Sequence, residues 1–129
     1  MNLQGCIPID KFDVCAAERA NEIGFPDLNK LIPDLLVWLQ DANWPVAGPV
    51  ARVLSKAGPE IAPHLREILT GDDDEWKYWT VDLLIRNLST KIQRELGDDL
   101  HELVVDQPET DQCRELSELV REFLEGKSI

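Results

Sequence analysis

Basic residues are scarce in this chain. Lysine and arginine together number 13 against 25 aspartates and glutamates, and the formal net charge is −12. A field of that sign repels phosphate backbones, so a nucleic-acid partner is not expected. Arg52, Lys56 and Arg66, the cations that helical spacing brings near one another across two helices, are too few to reverse it. Cysteine is sparse as well: Cys6, Cys15 and Cys113 are odd in number and form no CxxC pair. With Cys15 and Cys113 on apolar helix faces, buried reduced thiols in a cytoplasmic protein are expected, and no close-paired metal site. No apolar run reaches the roughly 18 residues of a membrane span. Met1 to Asp10 lacks the basic start and apolar core of a secretory signal. No stretch alternates apolar and polar residues long enough to demand a sheet.

The acidity that is present is uneven. Residues 1–70 hold 6 basic and 9 acidic side chains, whereas residues 71–129 hold 7 and 16. Such a field attracts a basic protein, and it also keeps a small protein soluble. At 129 residues, the chain is expected to form a single domain, 1–129.

All four tryptophans, Trp38, Trp44, Trp76 and Trp79, fall between Leu35 and Leu88. Two segments in and around that stretch share a pattern. Ile32-Pro33-Asp34-Leu35 leads to Leu39 and Asp41-Ala42-Asn43-Trp44; Ala62-Pro63-His64-Leu65 leads to Leu69 and Asp72-Asp73-Asp74-Glu75-Trp76. The first parts repeat at a spacing of 30 and the turn tryptophans sit 32 apart, a period typical of stacked helical repeats.

Apolar stripes at helical spacing surround this pair. Asp13 is a candidate N-cap for Val14, Ala17, Ala20 and Ile23, a helix that Gly24 and Pro26 stop. Leu28, Leu31, Ile32, Leu35 and Leu39 form the next stripe, interrupted by Pro33, so that the helix either kinks there or begins near Ile32. Asn43 and Pro45 suit the start of a helix carrying Ala47, Val50, Ala51 and Leu54. Gly58-Pro59 opens another with Ile61, Leu65, Ile68 and Leu69. The carboxylates of Asp72 to Glu75 suit a helix start, and they lack the spacing and glycine of a calcium loop. Thr90 to Val105 is helical but broken or bent at Gly97, and Pro108 opens a last helix with Cys113, Leu116, Val120, Phe123 and Leu124 inside. The expected fold is all-α: antiparallel helix pairs stacked as a short HEAT-like solenoid of about six helices.

The segments W-L-x-D-x-N-W-P (Trp38 to Pro45) and D-x-x-W-K-Y (Asp73 to Tyr78), with Glu60-Ile61-Ala62-Pro63-His64 and an N-terminal Pro8, Lys11, Phe12 and Asp13, resemble an uncharacterised bacterial family of small helical proteins, a domain of unknown function similar in character to HEAT-like repeats. The resemblance covers most of the chain and implies an all-α fold. It implies no activity. The C-terminal helix departs from the pattern through an acidic run of its own.

Two readings of the turn residues stand side by side. Trp44 and Trp76 pack at the starts of their helices and lock the stack; or an edge of each stays exposed and forms a partner-binding ridge with Trp38 and Tyr78, flanked by Asp41, Asn43, Asp73 and Asp74. The function expected is a protein-protein interaction module, an adaptor or immunity-type inhibitor of a basic partner, monomeric or weakly dimeric. It is not expected to be an enzyme, and neither a cofactor nor a metal is expected. The alternatives are a small hydrolase using His64 with a cysteine, or a structural subunit that forms homodimers. His64 and His101 lie 37 residues apart with no glycine-rich turn or orienting residue at a diagnostic offset, so the sequence assigns no catalytic residue.

Overall fold

The computed structural model describes residues 4–105 and 111–126, and all regular structure among them is helical. The α-helices are α1 (Val14–Ile23), α2 (Ile32–Leu36), α3 (Ala47–Leu54), α4 (Ala62–Leu69), α5 (Asp74–Trp79), α6 (Thr90–Glu95), α7 (Gly97–Val105) and α8 (Asp111–Gly126). The expectation of about six is corrected to eight among the described residues, in part because the Thr90–Val105 stretch is two helices, separated at Leu96. None of the described helices is long and apolar enough to cross a membrane.

Alanines 16, 17 and 20 form the buried face of α1, and their small side chains let it lie close against α3. Gly24 ends the helix at φ 71°, in the left-handed region where a side chain is disfavoured, and its N–H caps the Ala20 carbonyl. A 3-10 stretch (Asp27–Leu31) then leads into α2, whose first turn holds Pro33. The helix therefore begins at Ile32 rather than kinking at the proline, since the first turn has no need of the missing N–H.

Asn43 does not cap α3. Its own N–H donates to Asp41 Oδ1 at 2.8 Å, and Trp44 N–H donates to the Asp41 carbonyl at 3.1 Å, so Asp41 folds the segment into a turn. Val46 N–H then reaches across to the Lys11 carbonyl at 3.1 Å, and the helix starts only at Ala47. Asp13 does precede α1, but its carboxylate accepts from Ile9 N–H at 3.1 Å instead of capping the helix.

The start of α5 is as the sequence implies: Asp73 Oδ1 accepts from Trp76 N–H at 3.0 Å. Beyond Trp79 the helix widens into a π-helical turn (Thr80–Leu84) and then tightens to 3-10 (Ile85–Asn87). Ser89 caps α6, and Gln93 within α6 donates from Nε2 back to the Ile85 carbonyl at 2.7 Å. Pro108, expected to open the last helix, lies outside the described residues, as does the Cys113 side chain.

One apolar core runs from Ala17 to Val120 and includes Leu35, Leu39, Leu54, Leu65, Leu84 and Leu100, all fully buried. Each such side chain contributes about 1.5–3 kcal/mol relative to exposure. A smaller cluster gathers Cys6, Ala20, Leu28 and Val53 beneath the N-terminal segment. The C-terminal helix α8 packs on α5 and α7, and α4 packs on both of those in turn. Arg66 ties α4 down: its Nε donates to Asp99 Oδ2 at 2.9 Å and an Nη to the Glu95 carbonyl at 3.2 Å. It is therefore not grouped with Arg52 and Lys56, which face α1.

Candidate functional site

Trp76 is the residue on which the two halves of the repeated pattern meet. Its Nε1–H donates to the Leu36 carbonyl at 3.0 Å, at the end of α2, where the α-helical ladder of hydrogen bonds stops. The indole therefore bridges α5 and α2 while staying only half-buried. It forms part of a groove of about 360 Å³ whose walls are Pro33, Leu36 and Val37 from the α2 side and His64, Glu67 and Ile68 from α4. Each wall follows i, i+3, i+4 spacing, the row that a helix presents to a neighbour. Val37 is 39% exposed on the lip.

A second recess, of about 240 Å³, lies where α5 meets α8 and is lined by Asp74, Glu75, Tyr78, Trp79 and Glu115. Tyr78 and Trp79 meet edge to face, with ring centroids 4.8 Å apart and planes at 87°. Lys77 is itself buried, and its Nζ meets Asp74 Oδ1 at 3.3 Å, so one of the recess carboxylates already faces a cation of the chain. Carboxylates beside aromatic rings make a surface suited to an ammonium or guanidinium group. At the entry to the π turn two buried polar atoms, Trp79 Nε1 and Thr80 Oγ1, have no hydrogen-bond partner.

These positions divide the residues expected to bind a partner. Trp38 and Trp44 meet edge to face, centroids 5.7 Å apart at 65°, and both are half-buried against the core. Asp41 is engaged in its own turn, and Asn43 is exposed beside it. Trp76 lines the groove, Asp73 caps the helix below it, and Asp74 and Tyr78 line the recess. Trp38, Trp44, Trp76 and Tyr78, the rings of the expected ridge, are each partly buried and are distributed over the Trp38–Trp44 pair, the groove and the recess. The sequence reading missed Pro33, Leu36, Val37, Glu67 and Ile68 as groove residues, and Glu75, Trp79 and Glu115 as recess residues. Their signal was visible only for Glu75, through its place in the acidic run.

His64 lies half-buried in the groove beside Glu67, while His101 is exposed on α7. Neither Cys6 nor Cys15 lines that groove. Cys6 is buried under α1, and burial pushes its thiol above the usual range against the opposing pull of Arg19. Cys15, expected on the buried face, is exposed, because that face is carried by Ala16, Ala17 and Ala20. Among the described residues no three His, Cys, Asp or Glu side chains come together in a way that would hold a metal ion.

A comparison with curated proteins finds no match to this chain. A family model does match, and it spans residues 6–124, from the buried Cys6 to the last apolar turn of α8. The chain belongs to the family described as a domain of unknown function, DUF5071.

Proposed function

We propose that this protein is a protein-protein interaction module that captures a basic partner, as an adaptor or an immunity-type inhibitor. The observation that carries the reading is the recess between α5 and α8. It combines Asp74, Glu75 and Glu115 with the Tyr78–Trp79 ring pair in a chain of net charge −12. A lysine or arginine side chain entering it gains charge pairing and ring contact together. The surrounding field steers such a partner toward the protein.

In this reading the helices form a short HEAT-like stack of antiparallel pairs, with α2 and α4 as equivalent members. The repeated Ile32-Pro33 and Ala62-Pro63 starts support it, each proline occupying the first turn of its helix. The module acts as a monomer or weak homodimer, and an exposed free thiol at Cys15 suits a reducing, cytoplasmic setting.

The test is capture from native lysate at low salt with the parent protein and with a Tyr78→Ala/Glu115→Lys variant, both verified as folded by circular dichroism. The reading expects a basic protein retained by the parent, lost from the variant and released as salt rises. Equal retention by both, or an acidic partner, would overturn it.

A further inference from the structure

The recess between α5 and α8 accounts for a cation but not for the apolar groove on the other side of α5. That groove is lined by apolar side chains except for His64 and Glu67, and no lysine or arginine lines it. Its volume of about 360 Å³ is at the low end of ligand pockets. It has room for inserted side chains rather than for a backbone element. Val37 stands in water at its lip, a β-branched side chain with little rotamer freedom to lose on contact.

We infer that this groove receives the apolar anchor of an amphipathic, lysine- or arginine-bearing helix of the partner protein; the inference rests on the interaction-module reading. The helical form follows from the walls. Rows at 33, 36, 37 and at 64, 67, 68 both line the groove, each with the spacing of a helix ridge, and the furrow between helix ridges is where a further helix lays its own apolar row. The cationic flank follows from charge. Glu67 is the one carboxylate in the lining, Asp72 and Asp73 are exposed just before Trp76, and the net charge of −12 disfavours an acidic helix. Trp76 lines the groove, held by its bond to the Leu36 carbonyl, so an anchor placed on it meets a ring already fixed in position.

The Trp76 indole N–H gives the experiment its reporter. The ¹⁵N-labelled full chain is titrated with a synthetic amphipathic peptide carrying leucine and lysine at helical spacing. Two controls accompany it, one with alanine for leucine and one with glutamate for lysine. The Trp76 indole signal is identified with Trp76→Phe. The inference expects the leucine–lysine peptide to move the Trp76 indole and the Val37 and Ile68 signals, and both controls to bind at least about tenfold more weakly. Val37→Asp, a change at an exposed position that spares the core, is expected to weaken the peptide by about tenfold or more. Ile9→Asp, at the 86% exposed Ile9 outside the groove, is expected to leave it unchanged. Shifts confined to Tyr78, Trp79 and Glu115 would overturn the groove inference while leaving the interaction-module reading intact. So would binding of the alanine peptide equal to that of the leucine peptide, or indifference to Val37→Asp. The lysate capture with the Tyr78/Glu115 variant decides the module reading separately.

Discussion

Trp76 joins α5 to α2 through one hydrogen bond, and the size of that link is measurable. Trp76→Phe keeps a ring on the core but removes the donor to the Leu36 carbonyl. The expected loss is about 1 kcal/mol, rising toward about 3 kcal/mol if water cannot reach the freed carbonyl; urea unfolding of the two proteins checks it. Thr80 presents the opposite case. Its hydroxyl is wholly buried and unpartnered, so it contributes only a desolvation cost. Thr80→Val has nearly the same shape and is expected to stabilise the fold by roughly 1 kcal/mol, seen as a higher urea midpoint with an unchanged slope. The thiols differ in the same way. Cys15 is exposed, while Cys6 is buried with its thiol pushed above the usual range. Cys15 is expected to be alkylated well before Cys6 in the native protein at pH 8, as read by peptide mass mapping. A raised thiol adds stability in full below the unfolded thiol's pKa and loses it as pH climbs toward the folded value, so Cys6 weakens the fold only under alkaline conditions.

At the scale of elements, the irregular helix from Asp74 to Asn87 depends on support from outside itself. Its π turn interrupts the i→i+4 pattern, and Gln93 of α6 reaches back to the Ile85 carbonyl at 2.7 Å. Gln93→Ala leaves that carbonyl without its donor and is expected to cost about 1–3 kcal/mol; hydrogen exchange should show the loss of protection concentrated at 80–88. Most of the helices were legible in the sequence because their apolar stripes and breakers act locally: Gly24 and Pro26 end α1, Asp73 caps α5, and the chain breaks beside Gly97. The π turn was not, since nothing between Thr80 and Leu84 departs from an ordinary helical stripe. The start of α3 was misplaced because Asn43 and Asp41 are both good capping residues, and the competition between them was settled by Asp41 taking the Asn43 N–H. Cys15 was misassigned for a simpler reason. A stripe through Val14, Ala17 and Ala20 leaves the exact rotation of the helix open, and packing on α3 turned Ala16 inward in place of Cys15.

At the scale of the molecule, the concavities were the least legible feature. The groove takes residues near 35, 66 and 76, and the recess joins 74–79 to 115, so each exists only once distant helices have packed. Their acidity was visible from composition; their shapes were not. The groove and recess lie on either side of α5, which places Trp76 between them and Asp74, Tyr78 and Trp79 facing the second. A partner that uses both would present an apolar row and a cation at a fixed separation. For such a partner, charge would set the rate and the salt dependence of binding, and the groove would set how long the partner stays. The most direct measurement of this account is the affinity for the captured partner at a series of sodium chloride concentrations. A fall of about tenfold or more between roughly 0.02 and 0.5 M salt, as the screening length shrinks from well above about 10 Å toward a few ångström, is the expected result. Affinity that stays constant over that range would contradict a charge-guided partner and with it the central claim.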